Sequence, residues 1–116
     1  MSDGFSYRII EKNTVVVVSL HGRLTKEAKD SLNQCQQELQ RVQSKRIIFL
    51  FKDVSSVDHI VTRELTLIQS EVRKNGVSVV VTGLSLSLKH FLYEKGVIRM
   101  GEVRSSLEEA LKTLAA

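Results

Sequence analysis

The sequence contains no proline and no tryptophan, two tyrosines, four phenylalanines and a single cysteine. Without proline, no periodic segment is interrupted by a residue that forbids helix interiors or central strands. With Cys35 alone, no disulfide can close within the chain, which fits a reducing compartment. The few aromatics offer little to stack on bases. The net charge of +4 is scattered, with no run of five like charges, so nucleic acid is not an expected partner. No stretch approaches the ~18 consecutive apolar residues of a membrane span. The opening Met1-Ser2-Asp3-Gly4 lacks the basic-then-apolar order of a signal peptide. The expectation is a cytoplasmic protein without direct membrane insertion.

What remains is an ordinary globular composition over 116 residues, which suits one domain, residues 1–116, able to bury a core without staples. Phe5–Ile10 partly alternates and predicts an edge strand. Lys12-Asn13 marks a turn, and Thr14–Leu20, rich in valine, predicts a strand covered on both faces and paired with the first as a hairpin. His21–Leu24 reads as a loop, and Thr25 as the cap of the next helix. Ala28, Leu32, Cys35, Leu39 and Val42 recur at helical spacing, which places Cys35 on a packed stripe as an inert thiol.

Ile47–Phe51 predicts the central strand, and Lys52–Asp58 a loop beyond its carboxyl end. Val61, Leu65, Ile68 and Val72 form a second helical stripe, stopped by Asn75-Gly76. Val77–Thr82 is a further buried strand, with Gly83 allowing the turn. Leu84, Leu88, Phe91 and Leu92 mark a short helix ending near Lys95-Gly96, and Val97–Met100 a last short strand. Ser105-x-x-Glu108 has the form of a capping box before a helix with the stripe Leu107, Ala110, Leu111 and Leu114. The order β-β-α-β-α-β-α-β-α predicts an α/β domain. Its sheet of four to five strands is mostly parallel, with an antiparallel amino-terminal edge and about four helices.

Motifs for chemistry are scarce. His21, His59 and His90 are expected in separate loops or helix starts, with no ligand spacing for a metal. No phosphate-binding glycine loop and no Gly-x-Ser-x-Gly elbow occurs. A nucleophile and its base can still meet across a chain, but nothing in the sequence points to an enzyme, a cofactor or a metal. Asp58 is read as a helix N-cap or as an acid shaping a recognition loop. His59 is an exposed loop residue or a pH-sensitive contact. Ile60 either staples the helix start or, if exposed, joins an apolar docking patch.

Three pieces carry a family likeness: Val18-Ser-Leu-His-Gly-Arg-Leu24, Ile47-Ile-Phe-Leu-Phe-Lys-Asp-Val-Ser-Ser-Val-Asp58, and Gly76-Val-Ser-Val-Val-Val-Thr-Gly-Leu-Ser85 followed by Lys89 and Phe91. From Val15 to Leu114 the chain resembles the STAS family, the single-domain anti-sigma-factor antagonists and their relatives in anion-transporter tails. The resemblance implies the STAS fold. It also implies a docking surface at the start of the second helix, where the family carries Asp-Ser-Ser/Thr-Gly. There the second hydroxyl residue is phosphorylated by a serine kinase that is also the anti-sigma factor. Matched residue by residue, Asp58 keeps the family acid, His59 replaces the first serine, Ile60 occupies the phosphoacceptor position and Val61 the glycine. Ile60 has no hydroxyl, so the switch residue is missing. Ser55, Ser56 and Thr62 are the nearby hydroxyls.

The resemblance therefore implies a module that docks on an anti-sigma-factor kinase or related regulatory protein without the usual phospho-switch. The expected contacts are Gly22, Arg23, Leu24, Val57, Asp58, His59, Ile60, Val61 and Thr62. An accessory subunit of a transporter ATPase or signalling assembly is the alternative. So is a nucleotide or lipid sensor using loops at the carboxyl ends of the strands. A homodimer through an edge strand or through Ile60 is also open.

Overall fold

The computed structural model describes residues 4–12 and 14–115. The signal-peptide reading of Met1–Asp3 and the turn at Asn13 therefore lie outside, or partly outside, the described residues. The elements follow as β1 (Ser6–Lys12), β2 (Val15–Leu24), a 3-10 turn (Lys26–Ala28), α1 (Lys29–Gln40), β3 (Arg46–Val57) and a second 3-10 turn (His59–Val61). Then come α2 (Thr62–Lys74), β4 (Ser78–Thr82), α3 (Leu86–Glu94), a third 3-10 turn (Met100–Glu102), β5 (Val103–Arg104) and α4 (Leu107–Ala115). The sheet order is β1-β2-β3-β4-β5, with β1 antiparallel to β2 and every other pair parallel. The expected fold class, element order and antiparallel edge are all present.

Residues Val15 to Leu20 are buried without a break, because the sheet is covered on both sides. Val16, Val18 and Leu20 meet Ile47, Phe49 and Phe51 beneath the stripes of α1 and α2, where Leu32, Cys35, Leu39, Leu65, Ile68 and Val72 are buried. Val15 and Val17, with Ile48 and Val80, pack on the opposite face against Ala110 and Leu114 of α4. Each fully buried side chain of this kind contributes roughly 1.5–3 kcal/mol. Hence the helical stripes form as the spacing predicts.

Five local expectations are corrected. Strands β2 and β3 run on through His21–Leu24 and Lys52–Val57, which the sequence reads as loops. Two register shifts let the ladder continue to the pair Leu24↔Val57, despite the polar residues on its open parts. Val97 and Ile98 are buried but not in a strand, and the last strand is the two-residue β5. Thr25 makes no cap bond; its hydroxyl donates to Glu27 Oε2 at 2.8 Å. The cap of α4 is shifted by one residue. Glu109 N–H donates to Ser106 Oγ (3.1 Å), and the Glu109 carboxylate accepts from the Ser105 hydroxyl (3.0 Å). The histidines also move: His21 lies in β2, and His90 lies within α3 rather than at its start.

Polar ties close the periphery. Tyr7 on β1 donates to Glu38 on α1. Burial, then that carboxylate, pushes the Tyr7 hydroxyl above the ordinary phenol range. Arg73 on α2 donates through Nε to Glu102 Oε2 (3.0 Å) and through Nη2 to Gln69 Oε1 (2.9 Å). Gln69 is only 2% exposed, so its amide oxygen depends on that guanidinium.

The substitution Arg73→Met keeps the aliphatic stem and removes the donors. It is expected to cost about 1.5–3 kcal/mol of unfolding free energy, the worth of hydrogen bonds to a charged group. Urea titration measures this, and a cost under ~0.5 kcal/mol would mean the tie contributes nothing.

Cys35 is 1% exposed. Burial, then the nearby Glu38 charge, pushes its thiol from 9.0 up to about 12. The native thiol thus keeps its proton at pH values where the unfolded chain has lost it. Stability contributed by the protonated thiol is present below pH 9 and falls as the pH rises towards 12. Native protein should resist a thiol-directed reagent at pH 8 and react only once urea unfolds it. Rapid labelling without urea would contradict this packing.

Candidate functional site

Parallel strands that end at the same level bring their following segments together. Here β2 ends at Leu24 and β3 at Val57, paired to each other, and Asp58 N–H extends the ladder by donating to Leu24 O at 2.9 Å. The two expected segments, Gly22–Leu24 and Val57–Thr62, are therefore neighbours. Gly22 has φ +94°, and an added Cβ would sit 2.4 Å from the Gly4 carbonyl oxygen, so only glycine fits that crossing.

The expected contact residues separate into two groups. Arg23, Asp58 and His59 are exposed, Gly22, Val57 and Thr62 are half-buried, and Ile60 is 43% exposed. Leu24 and Val61, both 0% exposed, belong to the core. They were expected as contacts, and the structure corrects this. Both point inward, Leu24 from the end of β2 and Val61 from the end of the second 3-10 turn. Val61, at the family's glycine position, takes ordinary negative φ (−99°), so the β-branched side chain is accommodated without strain.

Asp58 occupies the cap position before the 3-10 turn with extended backbone (φ −80°, ψ 146°), yet its carboxylate accepts no cap hydrogen bond. Of its two readings, the side-chain cap is absent. The Thr62 hydroxyl donates to His59 O (2.7 Å), and the Ser55 hydroxyl to Gly22 O (3.3 Å), so both of these hydroxyls are turned towards backbone. Ser56 is exposed.

Three residues join the site that the sequence reading did not include. Thr25, Lys26 and Glu27 line a shallow depression of about 430 Å³ together with Asp58, His59 and Ile60. The hydrogen bond from Thr25 is the main influence holding the Glu27 carboxyl below its ordinary range. The signal that would have found them is the shared level of β2 and β3, which sets the residues after Leu24 beside those after Val57. The result is an apolar side chain, Ile60, ringed by one free acid, one imidazole and the Lys26–Glu27 pair of opposite charges.

A separate groove of about 440 Å³ lies between the carboxyl ends of α1 and α2, with Leu39, Ile47, Ile68 and Val72 among its lining. It sits at the amino-terminal end of β3, opposite to where a ligand site at the strand ends was expected. Among the described residues, no helix is long and apolar enough to cross a membrane.

An α/β sheet with one antiparallel edge, with a 3-10 turn leading from β3 into α2, defines the class. The chain belongs to the STAS domain family, whose model matches residues 6–110. No curated protein sequence matches it significantly. Among solved structures, an anti-sigma factor antagonist from Mycobacterium paratuberculosis is similar at TM-score 0.83 and 14% identity, over 100% of this chain and 98% of that one. RsbS from Moorella thermoacetica is similar at TM-score 0.79 and 21% identity, over 94% of each chain. A sulfate transporter family protein from Wolinella succinogenes is similar at TM-score 0.77 and 19% identity, over 91% of this chain and 88% of that one. At these identities the likeness is one of fold.

A true side-chain N-cap is worth ~1 kcal/mol. Because Asp58 makes no such bond, Asp58→Ala should change the unfolding free energy by less than about 0.5 kcal/mol, as surface substitutions do. A loss of 1 kcal/mol or more by urea titration would restore the capping role.

Proposed function

We propose that this chain is a regulatory protein-binding module that docks through the turn His59–Val61 and the neighbouring Lys26–Ala28 turn. The partner is an anti-sigma-factor kinase or a related regulatory protein, and docking proceeds without a phospho-switch at residue 60. The observation that carries this reading is the exposure of Ile60, 43%, at the position where the family keeps its phosphoacceptor. An exposed branched apolar side chain beside a shallow depression is a contact waiting for a surface. It offers no oxygen for a phosphate, whose charge of about −1.5 to −2 would otherwise break an apolar interface. The fold shared with anti-sigma factor antagonists supports the same reading.

Arg23, Asp58, His59 and Thr62 would form the rim, and Leu24 and Val61 would hold the turns from below. The shared fold of sulfate transporter domains keeps an accessory role beside a transporter as a second reading. The two differ in the identity of the bound protein.

The test begins with affinity capture from native cells, identification of the bound protein, and calorimetry on the purified pair. A buried isoleucine is worth roughly 1.5–3 kcal/mol, so Ile60→Asp should weaken binding at least ~10-fold. A kinase-like partner whose affinity is indifferent to Ile60→Asp would remove the proposed surface. A transporter as the partner would favour the second reading.

A further inference from the structure

The groove of about 440 Å³ between the carboxyl ends of α1 and α2 lies at the end of β3 opposite the turn His59–Val61, apart from the proposed docking surface. It opens where α1 stops at Gln40 and α2 at Lys74. The apolar residues that follow the two helices, Val42 and Val77, are short and line the gap without filling it. Beneath them the floor is apolar, formed by Leu39, Ile47, Ile68 and Val72 of the core. A volume of this size falls in the range of small-molecule sites, ~300–1,000 Å³.

The rim is polar and carries two cations, Arg41 and Lys45, from the loop between α1 and β3. Both are exposed, and neither forms an ion pair among the described residues. Lys45 Nζ donates to Asn75 O at 3.1 Å, across the groove, so its ammonium is held at the mouth with two donors left over. Glu71 is the acid in the lining, and its carboxylate is turned to Lys74 Nζ at 3.3 Å. The carboxyl ends of helices carry partial negative charge, which opposes an anion. Here that charge is blunted. Glu38 O and Leu39 O accept from the Arg41 and Val42 N–H groups (3.1 and 3.2 Å), and Val72 O accepts from those of Asn75 and Val77 (3.2 and 3.3 Å). The Asn75 side-chain amide donates to Glu71 O at 3.2 Å. An apolar floor under unpaired cations complements an amphiphile with one negative head.

We infer that this groove binds a small amphiphilic monocarboxylate of the medium-chain fatty acid class. Its alkyl chain lies over Leu39, Ile68 and Val72, and its carboxylate meets Arg41 and Lys45. The planar guanidinium of Arg41 matches the two carboxylate oxygens, and Lys45 adds a point charge. An alkylammonium of the same length would face two like charges. An alcohol of the same length would gain the floor but not the cations.

The experiment titrates the full chain with sodium octanoate, following methyl and amide resonances by NMR and affinity by calorimetry. Shifts are expected at Leu39, Ile68, Val72 and Val77, with a Kd of about 1 mM or tighter. Affinity should rise at least ~10-fold from butanoate to octanoate, since each fully buried methylene strengthens binding ~4-fold. Arg41→Gln should weaken octanoate by ~10-fold, as loss of a charge-assisted hydrogen bond does, and leave octan-1-ol unchanged. Comparing the two ligands across that substitution isolates the contact between cation and carboxylate. Gln40→Trp, at an exposed position on the rim, should block the groove to both ligands. Ile60→Asp, at the other end of the sheet, should change neither. Circular dichroism checks that each variant is folded. The inference is overturned by unshifted groove resonances at about 10 mM octanoate, by shifts centred on Ile60, or by octylammonium binding as tightly as octanoate. It is equally overturned if Arg41→Gln weakens octan-1-ol as much as octanoate.

Discussion

The parallel pairing of β2 with β3 is the constraint on which the rest of the structure depends. Its first half is fixed by burial, since Val16↔Ile47, Val17↔Ile48 and Val18↔Phe49 are all core pairs. A slip of one residue would exchange the two faces of a strand that is apolar on both but meets different helices on each. Leu32 and Leu65 expect one set of neighbours, and Ala110 the other. Beyond it, the second half of the ladder continues in the same direction through two register shifts. It carries the chain out of the core to Leu24 and Val57 and delivers the two following 3-10 turns at one level.

Rigidity at that end matters for the proposed docking. Ile60 stands between two residues with opposite tasks, since Asp58 is exposed and Val61 is fully buried. Because Val61 and Leu24 are fixed in the core, Ile60 is presented on a turn that need not be ordered when a partner arrives. Less conformational entropy is then lost on binding. A hydroxyl at the same place would make affinity depend on modification. In the proposed docking, an isoleucine removes that dependence at residue 60.

The helices were legible because their apolar residues repeat at the helical period, and every stripe residue from Leu32 to Leu39 and from Val61 to Val72 is buried where that period puts it. The strand lengths were not legible. Lys52, Asp53, Ser55 and Ser56 look like loop residues, but β3 continues through them because it has a hydrogen-bonding partner in β2. Pairing is a long-range fact that a polar local sequence hides. The same limit concealed Thr25, Lys26 and Glu27, which reach the depression beside Ile60 only through that pairing. Val97 and Ile98 mislead in the opposite direction, since buried apolar residues need not be in a strand. The shifted α4 cap turns on which of two adjacent serines faces the helix, a choice that residue type does not make.

The contacts among Ser19, His21 and Asp53 show why no motif announced them. Ser19 pairs with Leu50, but His21 pairs with Asp53, so two steps along β2 match three along β3. The added residue is a bulge. In a regular ladder His21 would face Lys52, a cation with nothing to accept the imidazole proton. The bulge replaces Lys52 with Asp53 on that face, while Phe51 keeps its place in the core on the other side. One extra residue, opposite Leu20, therefore sets the imidazole beside both a serine and a carboxylate. The arrangement belongs to the register, and the sequence spacing between Ser19 and Asp53 carries no trace of it.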